Sequence, residues 1–100
     1  MGLSYIQVGE INKIELLNND AVVFNSTDTG KIRQFVSFLL SNSLDDTGQD
    51  FKSWNFVKLY NKRGEFYRIE MFEDIFRING VRFVVGSDVL AKFKAIFGLQ

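Results

Sequence analysis

Apolar and polar positions alternate with a period of two along most of this chain, and twice the period lengthens to helical spacing. Ile11 to Leu17 reads as a strand, Asn18-Asn19-Asp20 as a turn, and Ala21 to Phe24 as its hairpin partner. Leu3 to Val8 is a short candidate strand ahead of them. From Asp28 to Leu40 the pattern is helical, with Thr27 or Asp28 placed to cap the free N–H groups. Ile32, Phe35, Val36 and Leu39 share one stripe, and Phe38 and Leu40 flank it, so this helix is expected to be buried on more than one side. Ser41 to Asp50 reads as a polar loop. A second helix is predicted from Asp88 to Phe97, with Ser87 as its N-cap and Gly98 as its stop. Its stripe is Val89, Leu90, Phe93, Ile96 and Phe97.

Between the helices, Trp54 to Val85 reads as a four-stranded antiparallel meander whose register follows from its turns. In Asn61-Lys62-Arg63-Gly64, Asn opens a type I turn and Gly takes the left-handed position of a bulge. That pairs Tyr60 with Phe66, Lys58 with Arg68, Phe56 with Glu70 and Trp54 with Phe72. Asn79-Gly80 is a two-residue hairpin signal that pairs Ile78 with Val81, Arg77 with Arg82 and Ile75 with Val84. A tight turn at Glu73-Asp74 matches Met71 with Phe76. All three turns agree on one inner face: Val57, Leu59, Tyr67, Ile69, Met71, Phe76, Ile78, Val81, Phe83 and Val85. A one-residue slip would mix these with charges, so the register is specified by the pattern itself.

One hundred residues make one domain with a single two-layer core. The expected fold is therefore α+β: one antiparallel sheet of five to six strands, in the order ββ-α-ββββ-α, with two helices packed on one face. This element order is similar to that of TATA-binding-protein-like and β-lactamase-inhibitor-like modules, a likeness that carries no functional implication.

The outer face of the meander is the first functional candidate. It interleaves Trp54, Phe56, Tyr60, Phe66 and Phe72 with Lys58, Arg68, Arg77 and Arg82. A solvated face rarely needs so many rings, and a buried one rarely carries so many cations. Lys58/Arg68 and Arg77/Arg82 set like charges opposite each other, which is mildly destabilising and points to an anionic partner, although Glu70 is placed to neutralise one pair. Aromatic and Arg side chains around an apolar centre mark protein interfaces, so a small non-catalytic module that binds a protein partner or itself is the expected function. Trp54, Phe56, Lys58, Arg68, Phe72, Arg77 and Arg82 are the expected contacts. Single-stranded nucleic acid, with bases on rings and phosphates on cations, is the alternative. Twelve basic and twelve acidic residues cancel, leaving no global field to recruit it. Cover by the N-terminal segment or by long side-chain stems would also account for the rings. The bias towards Phe, Ile, Asn and Lys points to a low-GC bacterial or phage source.

Catalysis has little to work with. The chain has no Cys and no His, which removes thiolate chemistry and the commonest general base and metal ligand. Asp28-Thr29-Gly30 and Asp46-Thr47-Gly48, with Val84-Val85-Gly86, resemble motifs of the aspartic proteases, which would imply two Asp carboxylates sharing a proton. That family sets its Asp directly after an apolar strand, whereas Asn25-Ser26-Thr27 precede Asp28 and a helix pattern follows it. Helix capping explains Asp28 better. Asp45, Asp46, Gln49 and Asp50 lack the spacing of an EF-hand loop, and Gly30-Lys31 lacks the remainder of a phosphate loop, so no metal or cofactor is expected. No apolar run approaches the roughly 18 residues of a membrane span. The N-terminus shows no signal-peptide pattern, and the chain reads equally as cytoplasmic or as a mature exported protein.

Overall fold

Hairpin turns set the architecture. The computed structural model describes residues 8–40, 43–44, 52–78 and 80–100. After a 3-10 turn at Val8–Glu10 come β1 (Ile11–Asn18), β2 (Ala21–Ser26), α1 (Thr29–Leu40) and β3 (Ser43–Leu44). The meander follows as β4 (Asn55–Asn61), β5 (Phe66–Phe72), β6 (Ile75–Ile78) and β7 (Val81–Val84), and α2 (Val89–Phe97) ends the order. All strands pair antiparallel in one sheet, β2-β1-β4-β5-β6-β7-β3. The α+β fold is as the pattern predicts: six strands of four or more residues and two helices on one face. The two-residue β3 is a seventh, at an edge, inside the segment read as a polar loop. The candidate strand at Leu3–Val8 and most of that loop lie outside the described residues, and Val8 itself belongs to the 3-10 turn.

Each turn uses the chemistry its residues offer. Asn19 and Asp20 both take positive φ, 50° and 66°, the left-handed twist that a two-residue hairpin loop requires and that Asn and Asp tolerate. At the next hairpin the Asn61 carboxamide oxygen accepts from the Arg63 and Glu65 N–H groups at 2.9 and 3.1 Å, while Gly64 supplies φ +83°. The β4–β5, β5–β6 and β6–β7 registers agree with the pairs read from the turns. Asn79 lies outside the described residues; Gly80, at φ +77°, follows it.

Three details differ from the sequence reading. The ladder begins at Asn55, so Trp54 precedes it instead of pairing with Phe72. Asp88, not Ser87, caps α2: its carboxylate accepts from the Ala91 N–H at 2.9 Å. Both residue types cap well. Bonds from the Val85 N–H to Asp74 and from the Val89 N–H to Glu73 fix where the helix can begin. Val81, assigned to the inner face, is 40% exposed: it lies on β7, towards the edge of the sheet, whereas its partner Ile78 on β6 is fully buried.

The inner face and both helix stripes form one core. Phe35, Phe76 and Phe93 are fully buried, and no described polar or charged side chain is buried with them. Phe35 and Phe24 each meet Phe93 edge to face, at 5.1 and 5.9 Å between centroids, and Phe76 stacks on Phe83 at 5.0 Å. Each such ring contributes about 1.5–3 kcal/mol through burial alone. Neither described helix covers the opposite face.

Candidate interaction surface

The outer face collects alternate residues of the meander strands and of β1, with β2 beyond it. β1, lying beside β4, adds Lys13, Glu15 and Leu17 to the side chains of the meander. At one end runs an apolar row of Phe72, Ile75 and Val84, with Trp54 just before β4. The next row is Phe56, Glu70, Arg77 and Arg82; the one after it holds Lys58 and Arg68, and the last Tyr60 and Phe66.

Rings and cations on this face are partners of each other. The Arg68 guanidinium carbon lies 4.1 Å from the Phe56 centroid, and Lys58 Nζ lies 4.6 Å from that of Phe66. Lys13 Nζ stands 5.1 Å from the Tyr60 centroid and Lys52 Nζ 5.5 Å from that of Trp54. Each contact is within cation–π range, and each long stem covers apolar surface while its charge stays wet. The mixture therefore has an intramolecular cause. Phe56 is buried beneath its cover at 5% exposure, so it supports the surface and is not available as a contact.

The charges divide unevenly. Arg77 forks onto Glu70, with Nη2–Oε2 at 2.8 Å and Nε–Oε1 at 3.4 Å. Glu15 accepts from the Tyr60 hydroxyl at 2.7 Å and pairs with Lys13 at 3.3 Å. The Tyr60 bond, with Lys13 and Lys58 nearby, holds the Glu15 carboxyl below its ordinary value, and the same bond pushes the phenol up to about 12. Both carboxylates that the described residues place on this face are thus engaged. Among the described residues, Arg68 and Arg82 have no carboxylate within salt-bridge distance. The other described acids occupy turns and helix caps: Glu10, Asp20, Asp28, Glu65, Glu73, Asp74 and Asp88. In a chain of zero formal charge, the described residues of the sheet face are net cationic.

Trp54, Phe72 and Val84 are 59%, 41% and 39% exposed. Trp54 is nevertheless held in place. Its carbonyl accepts from the Asn19 N–H at 3.0 Å, and the neighbouring Ser53 hydroxyl bonds the carbonyls of Asn55 and Met71. A shallow cleft opens beside it, lined by Trp54, Phe72, Glu73, Asp88 and Leu90. Sequence reasoning missed Lys13, Glu15 and Leu17, although their alternation with Ile14 and Leu16 was a signal that β1 has two faces.

Asp28 spends its carboxylate on the Lys31 N–H at 3.1 Å, as the cap of α1; Asp46 and the neighbouring acids lie outside the described residues. Among the described residues no three metal-ligating side chains gather, and no helix is long and apolar enough to cross a membrane. In comparisons by sequence and by structure, no family model, no curated protein and no solved structure matched the chain.

Proposed function

We propose that this chain is a non-catalytic interaction module that binds a protein partner across its outer sheet face. The observation that carries the reading is the exposed Trp54 ring, on a pinned backbone at the end of an apolar row that runs through Phe72 to Val84 and next to a cationic row. Fixed aromatics flanked by Arg are the usual anchors of protein interfaces, since a ring already held loses little freedom on binding. A second copy is a poorer occupant. A two-fold contact through this face would set a net cationic patch against itself. Nucleic acid is also less well served, because Phe56, Tyr60 and Phe66, which would stack bases, already carry cations on their rings.

A photo-crosslinking amino acid placed at Phe72, compared with one at the exposed helix position Gln34, tests the reading in the native host. A discrete protein adduct at Phe72 that is missing at Gln34 is the expected result. Equal labelling at both positions, or none at Phe72, removes the reading.

A further inference from the structure

We infer that the partner segment seated on this face is an acidic peptide with apolar residues among its carboxylates; this rests on the outer face being a protein-binding surface. The apolar ledge of Trp54, Phe72, Ile75 and Val84 runs across the strands, with the Arg77 and Arg82 row two residues further along them. Two residues of strand set these rows roughly 7 Å apart. A peptide crossing the strands along the ledge places its apolar side chains on Trp54 and Phe72, and its carboxylates beside the guanidinium row.

Charge complementarity fixes the sign of the partner. Glu70 is used by Arg77 and Glu15 by Tyr60 and Lys13, so among the described residues the face has no carboxylate left for Arg68 or Arg82. Arg77 stands opposite Arg82 in the register, a like-charge pairing that the sheet alone disfavours and that Glu70 offsets at Arg77. An acidic ligand relieves that repulsion on binding, which a neutral one does not. Guanidinium–carboxylate pairs are planar and two-pronged, and they give direction as well as attraction.

Trp54 is the chain's one tryptophan and stands at the proposed site, so its emission reports occupancy directly. The probes are a short peptide alternating glutamate and leucine, its glutamine–leucine counterpart, and an oligothymidylate of similar length. Saturable change with the glutamate peptide, weakened by salt and about tenfold or more weaker with the glutamine peptide, is expected. Arg82→Glu should weaken the glutamate peptide by a similar factor, about tenfold. Arg68→Glu should do the same but also uncovers Phe56, so Arg82→Glu, whose side chain covers no ring, is the cleaner variant. Equal binding of the two peptides, no effect of Arg82→Glu, no response to either peptide, or tighter binding of the oligothymidylate each overturns the inference. A Phe72 adduct persisting alongside any of these results leaves the face as a protein interface and rejects only the acidic partner.

Discussion

The same strands build two opposite kinds of surface. Along β4, Val57 and Leu59 are completely buried on the inner side, while Phe56, Lys58 and Tyr60 point to the other. Inner rings meet rings: Phe35 on Phe93, Phe76 on Phe83. Most outer rings meet cations: Arg68 on Phe56, Lys58 on Phe66, Lys13 on Tyr60. Aromatic content therefore does not say which side of a sheet is the core. What surrounds the ring does. A ring enclosed by carbon, such as Phe76, loses all its water, whereas Phe66, covered by the Lys58 ammonium, stays at a wet boundary where the contact is worth little.

The largest expected effect follows from that contrast. Phe76→Ala empties a fully enclosed site stacked on Phe83 and should lower the unfolding free energy by about 3–5 kcal/mol. Phe66→Ala removes the same ring from the outer face, where it is 47% exposed and covered by Lys58, and should cost under about 1 kcal/mol. Urea denaturation of both variants measures the difference. Comparable losses would mean that the outer face is a second core.

Much of this contrast is legible in the sequence because period-two patterning and turn chemistry are local. Asn61 to Gly64 and Gly80 fix the meander, and the alternation then assigns Ile69 inward and Arg68 outward without further information. Pairing between distant segments is not local. Nothing in Ile11 to Asn18 states that it lies against β4, so Glu15 and Tyr60, 45 positions apart, could not be brought together beforehand. The pairing of β3 with β7 was hidden for the same reason, since two residues carry no period. Burial within a face was equally out of reach. Trp54 and Phe56 read alike, yet one precedes the ladder and stands in water, while the other lies beneath Arg68.

A smaller effect probes the hydrogen bond between Tyr60 and Glu15 on the wet side. Tyr60→Phe deletes the bond to Glu15 and should cost about 1.5 kcal/mol at neutral pH, as expected for a hydrogen bond to a charged group. Its pH dependence has a definite sign at each end. Glu15 is held below its ordinary value when folded, so its contribution is present above the carboxylate range and fades as pH falls through the depressed value. Tyr60 rises from 10.0 to about 12 on folding, so its contribution is whole below the unfolded phenol's value and fades as pH climbs towards the folded one. The variant should lose the alkaline part of this slope entirely. An unchanged alkaline slope in denaturation midpoints would mean that the bond does not persist in solution.

Trp54→Ala should have the smallest effect on stability, within about 0.5 kcal/mol, although it removes the largest side chain in the protein. The ring is 59% exposed, and its one cation–π contact, with Lys52, is solvated and worth only about 0.5 kcal/mol. The bond from the Asn19 N–H goes to the backbone carbonyl of Trp54 and survives the substitution, and so do the Ser53 bonds that start β4. A fold indifferent to this ring has no structural reason to hold it in water on a fixed backbone. Thermal denaturation of the variant decides the matter. An unchanged transition assigns the ring to recognition, and a loss of more than about 1 kcal/mol assigns it to the core and takes the main anchor away from the outer face.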